Sequence, residues 1–562
     1  MSIPVDYTSA LLKSLSQDRL NNLIAQADAR RILQEVKESP ENYPAFDPLL
    51  TEKVTHIAYA LLSCGCSLIE GADDSADEAE NLGILERAGK LLSDAYRYND
   101  SEADEKNYNL LIAGMALYAA KQYSRAFIVL KDINLDFSVG QLIIQFVKKD
   151  FNSLLKSTSK VFFEDFCELS DIQVLDEWVI SHEIARIFMI ITDYVQTGNK
   201  DDFTIIDDIF NKLLLVAVDS NLISFWLIIR LLRIILSTYF KASLWSVLPP
   251  LSSSQYTTKN YIQLLSGFVP PVTELWPSQV AAIPLAVGEN DGGIINLRTS
   301  GGKTRVAEIA IINTLSSNSM SKVLYLAPFR SLAFEVEQSL SKVFNPLGIT
   351  VSQLYGGSTA NLTDFELINE SQVVIATPEK AKALIRCGSG LETKIKLIVV
   401  DEGHLLGAEE RYIKNEMFLT HIKEFASRNQ IRMLLLSAVL PNANELAEWI
   451  AADSNLVAKS EWKPSLERLG LLLWDGTCVR LQWKSDGEPF NPNFVQKAPL
   501  GFGRRRNPFP NDKKEAIAAT AVRLAQTGTV MIYSAKANAI NGLAESVLLA
   551  LGEHPNDFEW DK

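Results

Sequence analysis

Over its first 265 residues the chain repeats apolar side chains at intervals of three and four, the period of helices that bury one face. Leu110, Leu111, Ala113, Gly114, Leu117 and Tyr118 make one such stripe, and Tyr123, Ala126, Phe127 and Leu130 the next. Polar runs such as GADDSADEAEN and RYNDSEADEKN separate the stripes. Around SVLPPLSSSQYTTKN the prolines and serines break the pattern. Beyond it, short apolar runs alternate with helical patterns: GIINL, KVLYLAP, TVSQLY, QVVIATP, IKLIVVDE and IRMLLLSAV. Continuous apolar strands between amphipathic helices predict a parallel sheet covered on both faces. Function in such α/β sheets gathers at the carboxyl ends of the strands.

Three regions follow: a helical domain over 1–265, an α/β domain over 266–462, and a third over 463–562. The third begins with LGLLLWDGTCVRLQW, a hairpin turning at Asp475-Gly476. A helix (KEAIAATAVRLAQT), a strand (GTVMIYSA) and a further helix are predicted after it. Within the first region, LIAGMALYAAKQYSRAFIVLKD resembles a helix-turn-helix repeat of the tetratricopeptide kind, with Gly114 and Ala126 as its small contact residues. No second copy stands out, so an irregular helical domain and a helical-repeat domain both remain open.

Composition narrows this little further. The 562 residues are 47% hydrophobic and 22% charged, the balance of an ordinary globular protein, and too many for one core. A net charge of −14 speaks against a surface that coats nucleic acid everywhere, though not against a local basic channel. The five cysteines are scattered, which suits a reducing compartment; Cys64 and Cys66, the close pair, read as buried thiols. The amino terminus shows no secretory pattern. Arg230 and Arg233 interrupt the apolar run from Leu222, leaving less than the roughly 18 uncharged residues a membrane span needs. A cytoplasmic protein with no membrane contact is expected.

The chemistry lies at the strand ends. After Ile294–Leu297 comes Thr299-Ser300-Gly301-Gly302-Lys303-Thr304, opening a helix. Small residues let backbone N–H groups approach phosphate oxygens, and a helix N-terminus adds its positive dipole end. Lys303 would reach the β- and γ-phosphates of ATP, and the Thr304 hydroxyl would ligate Mg²⁺. The common spelling of such a loop has a glycine six residues before the lysine, where this chain has Leu297. A second strand ends in VVDEGH. There Asp401 is placed to hold Mg²⁺, Glu402 to orient or deprotonate a water, and His404 to couple to a polar neighbour.

Together with LWPSQVAAI, APFRSLAFE, YGGS, TPEKAKAL and LSAVLPNANELAEWI, these motifs over about 270–550 resemble a superfamily-two helicase of the DExH kind. The resemblance implies a RecA-like fold, ATP and Mg²⁺ as ligands, and a 3′-to-5′ polarity. Gln279 would read the adenine edge. Arg330, Ser331, Gly356, Gly357, Thr377 and Pro378 would grip a nucleic-acid backbone, with Arg330 and Lys380 supplying positive charge. Ser437 and Ala438 would couple hydrolysis to movement, although Val439 stands where threonine is usual. Within the superfamily the Ski-type branch is closest, because its phosphate loops commonly read Thr-Ser-small-Gly-Lys-Thr and EWKPSLERLGLLL resembles its segment after the first motor domain. Arg298 takes a position where proline is frequent.

A Gln-x-x-Gly-Arg-x-x-Arg segment, the source of transition-state arginines in this class, is not found; GFGRRRNPF, with Arg504, Arg505 and Arg506, lacks its spacing. The region after residue 528 resembles the opening of a second RecA-like domain. The expectation is therefore a helical domain, a complete RecA-like domain and an incomplete second one, binding ATP but hydrolysing it poorly. Single-stranded or partly duplex nucleic acid is the expected partner. The helical domain resembles that of prokaryotic antiviral helicase subunits of the Hachiman type, which implies a nuclease partner. A nucleotide-gated binding module without processive unwinding is the alternative.

Overall fold

A computed structural model describes residues 12–13, 18–35, 43–71, 78–98, 102–131, 133, 135, 137–163, 172–201, 203–248, 255–318, 320–354, 361–387, 394–405, 410–465, 469–483, 493–499, 508–526 and 528–552. They divide into two compact units, one of residues 141–465 and one of residues 1–140 with 466–562.

The sheet lies in the first of these. Seven parallel strands run in the order β3-β4-β2-β5-β6-β1-β7, with β1 Gly292–Leu297, β2 Lys322–Leu326, β3 Val351–Gln353, β4 Val373–Ala376, β5 Ile395–Val400, β6 Arg432–Ser437 and β7 Val457–Ser460. Six of these are the runs read from the sequence. Their side chains alternate between two cores. Ile295, Leu297, Val323, Tyr325, Val399 and Leu436 face the helices Pro277–Val287, Lys303–Ser317 and Arg330–Phe344. Ile294, Leu324, Leu326, Val400 and Leu435 face Pro378–Arg386, Glu410–Arg428 and Ala443–Ala451. Burial on both faces is why these strands read as unbroken apolar runs. β7 escaped the sequence reading because only Ala458 of its four residues is buried.

Helices of the 141–265 stretch share this unit. Gln255–Ser266 places Tyr261 in the core, its hydroxyl donating to Glu308 at 3.3 Å on the helix that follows β1. Lys149 reaches Glu274 at 2.6 Å while lying over the rings of Phe146 and Tyr239 at 4.7 and 4.6 Å. Ile223–Ala242 and Leu50–Gly71 are, among the described residues, long and apolar enough to cross a membrane. In Ile223–Ala242, 61% of the apolar window is buried within the protein and Arg230 is itself buried with its guanidinium over Trp226, as in a core helix.

In the other unit Leu50–Gly71 packs on Glu78–Tyr96, which packs on Ala103–Ala119, which packs on Tyr123–Leu130. Gly114 and Ala126 sit inside that last contact as expected; a Cβ on Gly114 would meet Leu130 Cγ at 2.4 Å. Cys64 and Cys66 are buried thiols. The predicted hairpin is present, with β8 Gly470–Trp474 antiparallel to β9 Cys478–Trp483 and the Asp475 carboxylate accepting the Thr477 and Cys478 N–H groups.

The strand expected at Gly528–Ala535 does not form: residues 529–534 pair with no strand, and Met531 and Tyr533 are more than four-fifths exposed. β-propensity alone cannot order a segment whose N–H and C=O groups meet no ladder.

Candidate functional site

Each strand end delivers one part of the site. β1 ends at Leu297, and the chain turns through Thr299 and Ser300, both exposed, before the helix opens at Lys303. Two positive φ values make the turn, +65° at Ser300 and +83° at Gly302. The first is an uncommon conformation for a residue with a Cβ and marks a constrained loop. The second favours glycine, and a Cβ there would lie 2.1 Å from Gln279 Nε2, so that side chain would have to move.

The loop is tied from behind by two neighbouring side chains. Ser278 Oγ, fully buried, donates to the Gly301 carbonyl at 2.8 Å, and Gln279 Nε2 faces the Gly302 carbonyl at 3.4 Å. Gln279 Oε1 also accepts the Trp276 N–H at 2.8 Å, capping its own helix. Holding the Gly301 carbonyl backward turns the N–H of the same peptide to the opposite side, which is what an anion cradle requires. Sequence reasoning missed Ser278. In front, Arg298 pairs with Glu461 and Trp276 lies 5.7 Å from Trp462, so the strap after β7 runs beside the loop.

β5 delivers the acids. Asp401 continues its ladder through a bond from its N–H to the Leu326 carbonyl. Glu402 then adopts φ +50°, breaking the strand so that its carboxylate turns back. Glu402 Oε2 lies 3.9 Å from Lys303 Nζ and 3.1 Å from His404 Nδ1. His404 Nδ1 is in turn 3.4 Å from Ser437 Oγ at the end of β6. Lys303, Glu402, His404 and Ser437 thus form one polar chain across three strand ends. Ala438 follows half-buried, and Val439 is exposed.

Asp401 is held separately. Its Oδ1 accepts the Glu402 N–H at 2.8 Å, and its Oδ2 accepts the Tyr325 hydroxyl at 2.7 Å. Burial pushes its carboxyl above the ordinary range; these two donors and Lys303 oppose that, while Glu402 adds to it. Burial first, then Asp401, drives the Tyr325 phenol well upward, so it stays a donor. A carboxylate and the exposed Thr304 hydroxyl are hard oxygen donors, few in number, the set Mg²⁺ accepts when phosphates and water complete its shell. The residues present fit that ion.

On the other flank, Arg330 and Ser331 open a helix and are exposed. Thr377 precedes Pro378 at the start of another helix and is buried. Lys380 corrects an expectation: it is 1% exposed and bonded to Asp364 at 2.6 Å, so its charge is spent inside the fold. Gly356 and Gly357, with Arg504, Arg505 and Arg506, lie outside the described residues. A cleft lined by Pro328, Pro378, Asp401, Glu402 and Phe418 joins the acid strand end to Pro378.

Comparison with known proteins bears on this geometry. The DEAD/DEAH box helicase family matches residues 276–446, from Trp276 to past Ser437. The chain carries a DEAD/DEAH box helicase domain. Hachiman protein HamB of Bacillus cereus is 34% identical over 551 residues, 97% of this chain and 49% of that protein. ATP-dependent DNA helicase Hel308 of Thermococcus kodakarensis is 33% identical over 250 residues, 44% of this chain and 20% of that one. The chain thus spans about half the length of the first relative and less of the second. Among solved structures, DUF1998 helicase MrfA bound to DNA shares 16% identity over 54% of this chain and 40% of that one, with a TM-score of 0.39.

Proposed function

We propose that the α/β domain binds ATP and couples its hydrolysis to movement along single-stranded or partly duplex nucleic acid. The observation that carries this reading is the polar chain Lys303–Glu402–His404–Ser437, which links a phosphate-facing ammonium to a neighbouring strand end. Thr299 to Gly302 cradle the phosphates, Gln279 reads the adenine, and Lys303 takes the β- and γ-phosphates. Glu402 accepts the proton of the attacking water; His404 passes the change to Ser437 and Ala438. Thr304 and Asp401 hold Mg²⁺, which when bound neutralises charge on the transferred phosphoryl group. Arg330, Ser331, Gly356, Gly357, Thr377 and Pro378 grip backbone phosphates.

These 562 residues hold no Gln-x-x-Gly-Arg-x-x-Arg segment. An arginine of that kind is worth about 10³–10⁵ in turnover, so slow hydrolysis is expected of these residues by themselves. The likeness to the Hachiman protein supports a role in antiviral defence; a cytoplasmic location and a nuclease partner for the 1–265 domain belong to the same proposal. Exposed Val439 in place of a hydroxyl residue favours a second reading, a nucleotide-gated binding module whose grip changes with ATP but which does not travel.

The test is ATP turnover by residues 1–562 with and without single-stranded DNA or RNA, beside Lys303→Ala. The motor reading expects slow turnover that a strand stimulates and the variant loses. Turnover that no strand stimulates, beside strand affinity that changes with ATP, favours the gated module. Turnover equal in the variant refutes the site.

A further inference from the structure

Tyr325 belongs to no nucleotide-binding motif. It sits inside β2, its ring is buried in the core shared with the helix that follows β1, and any apolar side chain would satisfy that packing. Its hydroxyl does something an apolar residue could not. β2 lies beside β5, with Tyr325 level with Val399, and the ring is long enough to carry its oxygen past the strand end to Asp401. The contact, 2.7 Å to Oδ2, is a hydrogen bond between a buried phenol and a carboxylate.

We propose that Tyr325 is a positioning residue for the metal side of the site, fixing the Asp401 carboxylate in the orientation from which it holds Mg²⁺. The proposal rests on the reading of Asp401 given above. With Oδ2 held by the phenol and Oδ1 by the Glu402 N–H, the carboxylate cannot rotate about its Cβ–Cγ bond without losing both donors. Each oxygen retains a lone pair for a cation or for water bound to it. A carboxylate aimed before the ion arrives spends none of the binding free energy on being ordered. The strap of two donors is also asymmetric. The N–H donor belongs to the adjoining peptide and only proline would remove it, which the +50° φ of Glu402 forbids, whereas the phenol comes from 76 positions away and can be removed cleanly.

Tyr325→Phe removes one oxygen and leaves the ring. The experiment uses the full chain and a fluorescent methylanthraniloyl-ADP, whose binding is followed while Mg²⁺ is titrated. The Mg²⁺ concentration giving half of the metal-dependent gain in affinity should rise about tenfold, the size usual for a lost outer partner of a metal ligand. Binding in excess chelator should stay close to that of the unaltered chain, and the thermal midpoint should fall by no more than the few degrees that one lost buried hydrogen bond costs. In an Asp401→Asn background the same substitution should add nothing, because Tyr325 acts through that carboxylate. An unmoved Mg²⁺ midpoint overturns the proposal. So does a loss of chelator-insensitive binding as large as the loss with metal, which would mean a packing role. If ADP binds the unaltered chain without any dependence on Mg²⁺, the assignment of Asp401 itself falls, and the role of Tyr325 with it.

Discussion

Ser278 shows how a residue without chemistry of its own sets up a site. Its hydroxyl, buried one position before Gln279, holds the Gly301 carbonyl away from the side where phosphates would bind. Ser278→Ala leaves that carbonyl without its donor and lets the peptide rock. A net loss of about 1 kcal/mol is usual for such a bond, which corresponds to about fivefold in affinity. The loss should appear for ATP and ADP and not for adenosine, which has no phosphate to cradle; isothermal titration with the three ligands checks it. An equal loss for adenosine would place the effect in the fold of the helix. The residues to which chemistry is assigned here could be picked from the sequence because their spacing from strand to loop to helix is local: Lys303 and Thr304 follow β1, and Asp401, Glu402 and His404 follow β5. Ser278 and Tyr325 could not, because their partners lie 23 and 76 positions away: the first meets Gly301 where helix Pro277–Val287 folds back along β1, the second meets Asp401 because β2 lies beside β5. Lys380 misled for the same reason. A lysine in a phosphate-gripping motif reads as solvent-facing until Asp364 is found opposite it.

At the scale of elements, the central strands were readable because burial on both faces leaves an unbroken apolar signature. β7 was not, since an edge strand buries too little to stand out. Residues 529–534 failed in the opposite direction, carrying the signature with no ladder to join. How the helices of 141–265 reach the sheet was invisible: Leu244, Leu248, Ile262 and Leu265 enter the core on one face of the sheet, and pairs of buried polar side chains accompany them. In one of these pairs, Lys149 lies over the adjoining Phe146 and Tyr239 rings and is bonded to Glu274, two residues before the helix cap at Trp276. Burial holds the Lys149 ammonium below its ordinary range, and Glu274 works against that. Removing one member leaves the other charge buried, at a cost of about 3–5 kcal/mol. Lys149→Met should therefore lower the thermal midpoint markedly, and the double replacement Lys149→Met with Glu274→Leu should recover most of it. A double variant no better than the single one would mean that the pair contributes through hydrogen-bond geometry instead of charge compensation.

For the whole molecule the governing fact is a net charge of −14 on a chain proposed to hold a polyanion. Such a protein repels nucleic acid at long range, which favours a short-range grip on few phosphates by cations, backbone N–H groups and hydroxyls at helix starts. Arg330 is an exposed cation at one such start. Two consequences are measurable. Each neutralised phosphate on a single strand contributes about −0.7 to the slope of log affinity against log salt, so a grip on about two gives a slope near −1.4. Arg330→Ala should flatten it by about one such step while weakening oligo-dT and oligo-dA alike, since a contact with phosphate carries no base information. Fluorescence anisotropy of labelled homopolymers across a salt series reads both. A slope several times steeper would mean a basic channel that neutralises many phosphates, in place of a grip on few. A variant that loses one homopolymer and keeps the other would make Arg330 a reader of bases, contradicting a motor that must pass over any sequence it meets.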